Sequence, residues 1–302
     1  MREMIAEEAS RELPLDFASR SRVKHYFQLL KFRLSFTVAF SSALGFMLGN
    51  RDFTWYEPLL VMLGGLLVTG SANIINQILE KDLDKLMKRT ARRPLPKGYV
   101  SVPEAAVFSV LLGISGLLLL GAYFNMLAAA LSLISLIIYG FIYTPLKRIS
   151  PICVLVGAIP GGLPPMIGYI AATGTFGWEA GILLGIQFIW QFPHFWAIAW
   201  VLDDDYKAAG FKMLPMTGGK NLKTAIQIMM YTLLLIPLGM LPLQFGMAGQ
   251  TSAIIAVICG VLFLMQTFYL MHTCTKKAAM NIMFGSFLYL PIVQIAFVLD
   301  KI

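Results

Sequence analysis

A chain of 302 residues with 58% hydrophobic side chains, only 13% charged ones and a mean hydropathy of +0.73 is too apolar for a soluble domain of its length. It belongs in a bilayer, where one-sided placement of basic residues, anionic lipid and an anionic substrate account for the net charge of +8 and leave nucleic acid unnecessary as a partner. Cys153, Cys259 and Cys274 lie in or beside apolar runs without CxxC spacing, so they read as small core hydrophobes, not as a disulfide framework or a zinc site.

The first 28 residues lack the apolar core of a cleavable signal peptide, and Glu3, Glu7, Glu8, Glu12 and Asp16 argue against an acid-poor transit sequence. This segment reads as a short amphipathic helix on the cytoplasmic surface or as a tail. Residues 29–302 hold nine apolar stretches of transmembrane length, centred near Ala39, Gly65, Gly113, Ile134, Pro160, Ile189, Leu235, Gly260 and Leu290. The expected fold is an all-α polytopic membrane protein with nine transmembrane helices around a central cavity. Of the basic residues, seven precede the first span, seven follow the second, two the fourth, four the sixth and two the eighth, leaving Arg51 and Lys301 on the opposite side. That asymmetry predicts a cytoplasmic N-terminus and an outside C-terminus, and the acid-rich first segment suits a bacterial inner membrane.

The second span runs into the sequence NIINQILEKDLDKLMKRTARRP. At about 100° per residue, Asn73, Asn76 and Glu80 share a helix face with Asp84 close by, forming a row of hard oxygen donors. Mg²⁺ is typically held by one or two carboxylates plus substrate phosphate oxygens, and Lys88, Arg89, Arg92, Arg93 and Lys97 follow within one loop to take phosphate charge. The constellation points to a metal-bound diphosphate, with Asn76, Glu80 and Asp84 as metal ligands. A surface helix end laced with ion pairs is the plainer alternative.

The fourth span ends in Tyr143, Lys147 and Arg148. Lys and Arg at such an end set topology or anchor headgroups, or here Lys147 binds diphosphate while Tyr143 donates a hydrogen bond to a phosphate oxygen. In the fifth span Gly157, Pro160, Gly161, Gly162, Pro164 and Pro165 would let helices approach closely or unwind around a flat ligand. In the sixth, Gln187, Gln191 and His194 recur at helical spacing as a polar stripe inside the membrane. An unbroken helix would bring Asp205 to that face, whereas Pro193 invites a kink. Asp203, Asp204 and Asp205 precede Lys207, Lys212 and Lys220, repeating the order of acids then basic loop. Two such clusters on one membrane face suit two Mg²⁺ ions on one diphosphate, with Asp204 and Asp205 as ligands of the second, and simple solvation of these acids is the alternative. Acid clusters after spans two and six leave a duplicated four-span unit open.

The spacing Asn76, Glu80, Asp84 resembles the first acidic motif of the UbiA-type intramembrane prenyltransferases in an NxxxExxxD form. The segments DLDKLMKRTARRPLPKG, YTPLKRISP, GAIPGGLPP, WQFPHFWAIAW and DDDYKAAGFKMLP are similar to the branch of that family that farnesylates protohaem IX. The likeness runs from about Lys31 to about Lys220, while the last three spans match only in number and apolar character. Two departures stand out: Lys31, Phe32 and Arg33 occupy a Lys-Pro-Arg position, and the second cluster lacks DxxxD spacing.

The resemblance implies an Mg²⁺-dependent farnesyl transfer from farnesyl diphosphate to a vinyl group of protohaem IX (haem B), with hydration, giving haem O and diphosphate. The donor chain would run down between helices rich in Phe, Met and Leu, and aromatic faces of Trp190, Phe192, Phe195, Trp196, Tyr139 or Tyr143 would either stabilise the allylic cation or merely pack. His194 would ligate the haem iron, with Gln187 and Gln191 in support, or it hydrogen-bonds a neighbouring helix. Asn73, Lys88, Arg89, Arg92, Arg93, Arg148, Lys207 and Lys212 complete the expected substrate-binding set. A downstream haem-modifying enzyme is the expected protein partner. Prenylation of an aromatic quinone precursor and membrane transport of haem or another small molecule are the competing functions.

Overall fold

The computed structural model describes residues 15–50, 52–215 and 219–302. Residues 1–14, with the acids at Glu3, Glu7, Glu8 and Glu12, lie outside the described residues, as does Arg51. Helix α1 (Leu15–Leu29) precedes the first span. The spans are α2 (Phe32–Gly49), α3 (Glu57–Leu79), α6 (Val102–Leu119), α7 (Met126–Ile137), α9 (Cys153–Thr173), α10 (Trp178–Val201), α12 (Leu222–Gln244), α13 (Gln250–Thr273) and α14 (Lys276–Leu299). Short helices α4 (Lys81–Asp84), α5 (Pro94–Lys97), α8 (Thr144–Ile149) and α11 (Asp203–Ala208) sit at one end of the bundle. Among the described residues, nine helices are long and apolar enough to cross a membrane, and all nine expected centres fall within them.

The helix ends follow local chemistry. Ser101 and Glu104 form a reciprocal capping box ahead of α6, and Asn125 and Thr275 cap α7 and α14 through their side chains. Two π-helical turns, Leu120–Phe124 and Ile138–Tyr143, lengthen the third and fourth spans, a feature that apolar periodicity does not announce.

Packing places α9 and α10 at the centre, where they bury the largest share of any span. A Cβ on Gly45 would meet the Pro165 carbonyl oxygen at 2.0 Å, and one on Gly168 the Ser42 carbonyl at 1.8 Å. Only glycine allows α2 and α9 to cross at this distance, the small-residue contact anticipated for the fifth span. Helix α14 packs on both α10 and α2, closing the ring of spans. Helix α1 packs on the ends of α3 and α6 through Leu29, Ile74 and Ala105.

Two local expectations change. The oxygen-donor helix breaks at Glu80 (φ −99°, ψ 8°), so α4 is a separate turn. The backbone still carries the row onward, since the Glu80 amide donates to Asn76 at 3.0 Å and the Asp84 amide to Glu80 at 2.7 Å. In contrast α10 continues as helix past Pro193 and stops at Val201, so Asp205 belongs to a new helix and not to the Gln187, Gln191, His194 helix.

Candidate active site

Two buried ion pairs form the heart of the site. Lys147, at the end of the fourth span, donates from Nζ to Glu80 Oε1 at 2.8 Å, with Lys147 8% and Glu80 4% exposed. Arg93 donates to Asp84 Oδ2 at 2.7 Å, and the Asp84 carboxyl is fully buried. Its other oxygen, Oδ1, is buried without a hydrogen-bond partner. Buried charges are costly unless paired, and a buried carboxylate oxygen without a hydrogen-bond partner has the donor chemistry that suits a hard cation.

Above these pairs, polar side chains bind each other in sequence. Asn76 Nδ2 donates to Thr144 Oγ1 at 3.1 Å, and Asn76 Oδ1 accepts from Lys31 Nζ at 3.1 Å. Asn73 Nδ2 donates to Ser35 Oγ at 3.0 Å, and Asn73 Oδ1 accepts from the Tyr139 hydroxyl at 3.4 Å. Lys31 reaches the site because it is a left-handed residue (φ 47°, ψ 51°) at the break between α1 and α2. An ordinary side chain in that conformation needs outside support, and Gln77 supplies it by donating to the Leu29 carbonyl at 2.7 Å. Burial, then the nearby Arg93 and Lys147 cations, hold the Lys31 ammonium well below the ordinary lysine range.

The loop after the sixth span folds onto the same place. The Lys212 amide donates to the Lys147 carbonyl at 2.7 Å, which carries the Phe211 ring to within 5.6 Å of the Lys147 ammonium. The Tyr143 ring lies on another side of that ammonium at 4.6 Å, so Tyr143 presents its π-face here. A Cβ on Gly157 would lie 2.7 Å from the same ring. Tyr206 interacts electrostatically with Arg89, Glu80, Arg93 and Asp205, and burial, the largest effect, raises its hydroxyl above the ordinary tyrosine range. It therefore stays a proton donor throughout the neutral range.

The second acidic cluster is built differently from the first. Asp203 is buried and bonded to Lys207 at 2.8 Å and Lys220 at 3.3 Å, whereas Asp204 is exposed, with Lys220 at 3.6 Å. Among the described residues, no group of three or more His, Cys, Asp or Glu side chains gathers as a metal cage. Asn76, Glu80 and Asp84 follow one another from the end of α3 into α4, linked by backbone hydrogen bonds. Two carboxylates and one amide oxygen fit Mg²⁺ shared with a diphosphate, not a cation enclosed by protein alone.

Deeper in the membrane the polar stripe divides. Pro165 has no amide proton, so the Gly161 carbonyl is released from the helix ladder, and both Gln187 Nε2 (2.8 Å) and Gln191 Nε2 (3.0 Å) donate to it. Gln187 Oε1 accepts from Ser41 and from Gln294, each at 2.8 Å. His194 turns instead toward α14, with Nδ1 2.8 Å from Ser286 Oγ, and its ring stacks on Trp190 at 4.4 Å.

Residues 37–290 match the model of the UbiA prenyltransferase family. This chain belongs to that family. As a family member it is 60% identical to the protoheme IX farnesyltransferase of Cytophaga hutchinsonii over 93% of its own length and 99% of that relative's. The prenyltransferase fold is shared with the solved structure of a digeranylgeranylglyceryl phosphate synthase (TM-score 0.76, 23% identity, 93% of this chain and 98% of that one). It is shared too with a UbiA homologue from Archaeoglobus fulgidus bound to DMAPP and Mg²⁺ (TM-score 0.65, 17% identity, 90% and 98%).

Of the residues singled out in this prenyltransferase, Asn73, Asn76, Glu80, Asp84, Arg93, Tyr143 and Lys147 converge. Arg89 is exposed. Lys88, Arg92, Arg148, Lys207 and Lys212 are exposed at the rim. Sequence reasoning misses Lys31 as a site residue, and with it Thr144 and Tyr206. The altered Lys-Phe-Arg entry is visible in the sequence but suggests no role, and a tyrosine inside DDDYK is overshadowed by the acids.

Proposed function

We propose that this membrane enzyme transfers the farnesyl group of farnesyl diphosphate to a vinyl group of protohaem IX, with addition of water, giving haem O and diphosphate. The observation that carries this reading is the 60% identity, over almost the whole chain, to a protoheme IX farnesyltransferase. The buried pairs suit the donor half. When a diphosphate enters, Lys147 and Arg93 move their hydrogen bonds onto its oxygens, and Lys31 and the Tyr206 hydroxyl add donors. Glu80 and Asp84, with Asn76, would hold Mg²⁺, and the metal would supply charge to offset that of the leaving diphosphate. A UbiA homologue bound to DMAPP and Mg²⁺ supports the metal and the class of donor.

Loss of diphosphate leaves an allylic cation, and the terminal vinyl carbon of haem forms the new bond to it. Water captures the cation that results beside the macrocycle and releases a proton. The chain's task is to keep water from the first cation until the carbon bond has formed, and the aromatic faces of Trp190, Phe192 and Trp196, all buried, are offered for that task. His194 would ligate the haem iron from the side of α10 that faces α14, while Gln187 and Gln191, turned to the Gly161 carbonyl, would support the helix from its other side. Asp204 and Asp205 would be the ligands of a second Mg²⁺, if one binds beside the diphosphate. Residues 29–302 form the transferase domain in a bacterial inner membrane, with the N-terminus cytoplasmic, the C-terminus outside, and haem O passing to a downstream haem-modifying enzyme. Incubating purified protein with haem, farnesyl diphosphate and Mg²⁺, then weighing the extracted pigment by mass spectrometry, tests the reading. A farnesylated, hydrated haem is expected, and unaltered haem beside a prenylated aromatic acid would replace it.

A further inference from the structure

The last three spans contribute one polar group to the environment of His194, and its hydrogen-bond accounting is informative. Ser286 is fully buried in α14, and its hydroxyl donates to the Met283 carbonyl at 2.6 Å. A serine hydroxyl has one proton, so with that proton committed the Oγ meets His194 Nδ1, 2.8 Å away, as an acceptor. Nδ1 must then carry the imidazole proton. Nε2 is left with its lone pair, the form in which imidazole binds a metal.

The ring is also fixed in orientation. Trp190 stacks on it with centroids 4.4 Å apart and planes 17° from parallel, and the Trp190 indole donates to the Ser286 carbonyl at 3.0 Å. Ser286 thus holds both the imidazole and the ring that supports it. The Phe287 ring stands edge-on to His194 at 5.0 Å and limits rotation from the other side.

We propose that Ser286 is a positioning residue for haem: it holds His194 in the Nδ1–H tautomer and presents Nε2 to the iron. This rests on the reading that His194 ligates haem and adds to it the group that makes the ligand competent. A hydrogen bond from the distal ring nitrogen also raises ligand basicity, and loss of such partners typically costs about 10- to 100-fold in metal affinity.

The test compares Ser286→Ala, Ser286→Thr and His194→Ala in the full-length protein with ferrous haem, reading the Soret band, haem affinity and the iron–histidine stretch by resonance Raman. Ser286→Ala is expected to keep the iron–histidine stretch but lower its frequency and to weaken haem about tenfold. Ser286→Thr keeps the hydroxyl and restores both. Binding of farnesyl diphosphate and the unfolding midpoint, measured alongside, exclude a general loss of fold. If His194→Ala leaves the Soret band unchanged, the reading of His194 as ligand fails and this inference with it. If His194→Ala removes the stretch while Ser286→Ala leaves frequency and affinity as in the parent, only the role of Ser286 is overturned.

Discussion

Lys147 Nζ and Glu80 Oε1 meet at 2.8 Å inside the bundle, joining the end of the fourth span to the break after the second. A buried pair of this kind contributes little net stability as a pair, yet removing one member strands the other. Lys147→Met alone and Glu80→Leu alone should each destabilise the protein by about 3–5 kcal/mol. The double variant should recover most of that and remain inactive. Unfolding midpoints in detergent, set beside turnover, check it; a double variant as unstable as the sum of the singles would mean that Lys147 and Glu80 are not coupled as a pair.

Asp84 should divide binding from chemistry. Asp84→Asn keeps the shape and one acceptor for Arg93, but removes the charge with which Oδ1 is proposed to bind Mg²⁺. Turnover should fall by at least about a thousandfold while haem binding, read by its Soret band, stays at the parent level. Parent-level turnover at saturating Mg²⁺ would remove Asp84 from the metal site.

Lys31 predicts a pH dependence. Its proton is held less tightly than that of an ordinary lysine, so raising the pH removes its charge early and weakens diphosphate binding. The alkaline limb of kcat/KM for farnesyl diphosphate should therefore move to higher pH in Lys31→Arg, since guanidinium stays charged. An alkaline limb unmoved by that change would assign the titration to another group.

Tyr206→Phe should lower kcat/KM by about 10- to 100-fold, the usual cost of one hydrogen bond to a charged group. Product analysis should still find farnesylated haem, because the acceptor region is untouched. A change smaller than threefold would make Tyr206 a packing residue.

Much of the fold and part of the site are legible in the amino-acid sequence, for reasons that differ by element. Nine spans follow from apolar length alone, because hydrocarbon admits little else, and the row Asn76, Glu80, Asp84 survives the break at Glu80 since the backbone hydrogen bonds continue through it. Lys147 is legible as a cation on the proper side, but its embrace by Glu80, Tyr143 and Phe211 depends largely on contacts between segments some sixty residues apart. Lys31 is hidden for another reason: its role comes from a left-handed backbone, which no side-chain pattern reports. By spacing, Gln187 and Gln191 share one stripe with His194, yet Gly161 draws the two amides one way and Ser286 draws the imidazole another.

The acceptor that gathers Gln187 and Gln191 is a main-chain carbonyl, released by the imino nitrogen of Pro165. Trimming side chains around it cannot delete it, and because both glutamines donate to it, a single alanine substitution in α10 leaves the other donor in place and understates the worth of each glutamine. The informative substitution is Pro165→Ala, which returns an amide proton to the helix, closes the ladder on Gly161 and leaves both glutamines to find new partners. At this position the polarity of the membrane interior is written in the backbone, and drift at the glutamines can be absorbed as long as the proline stays.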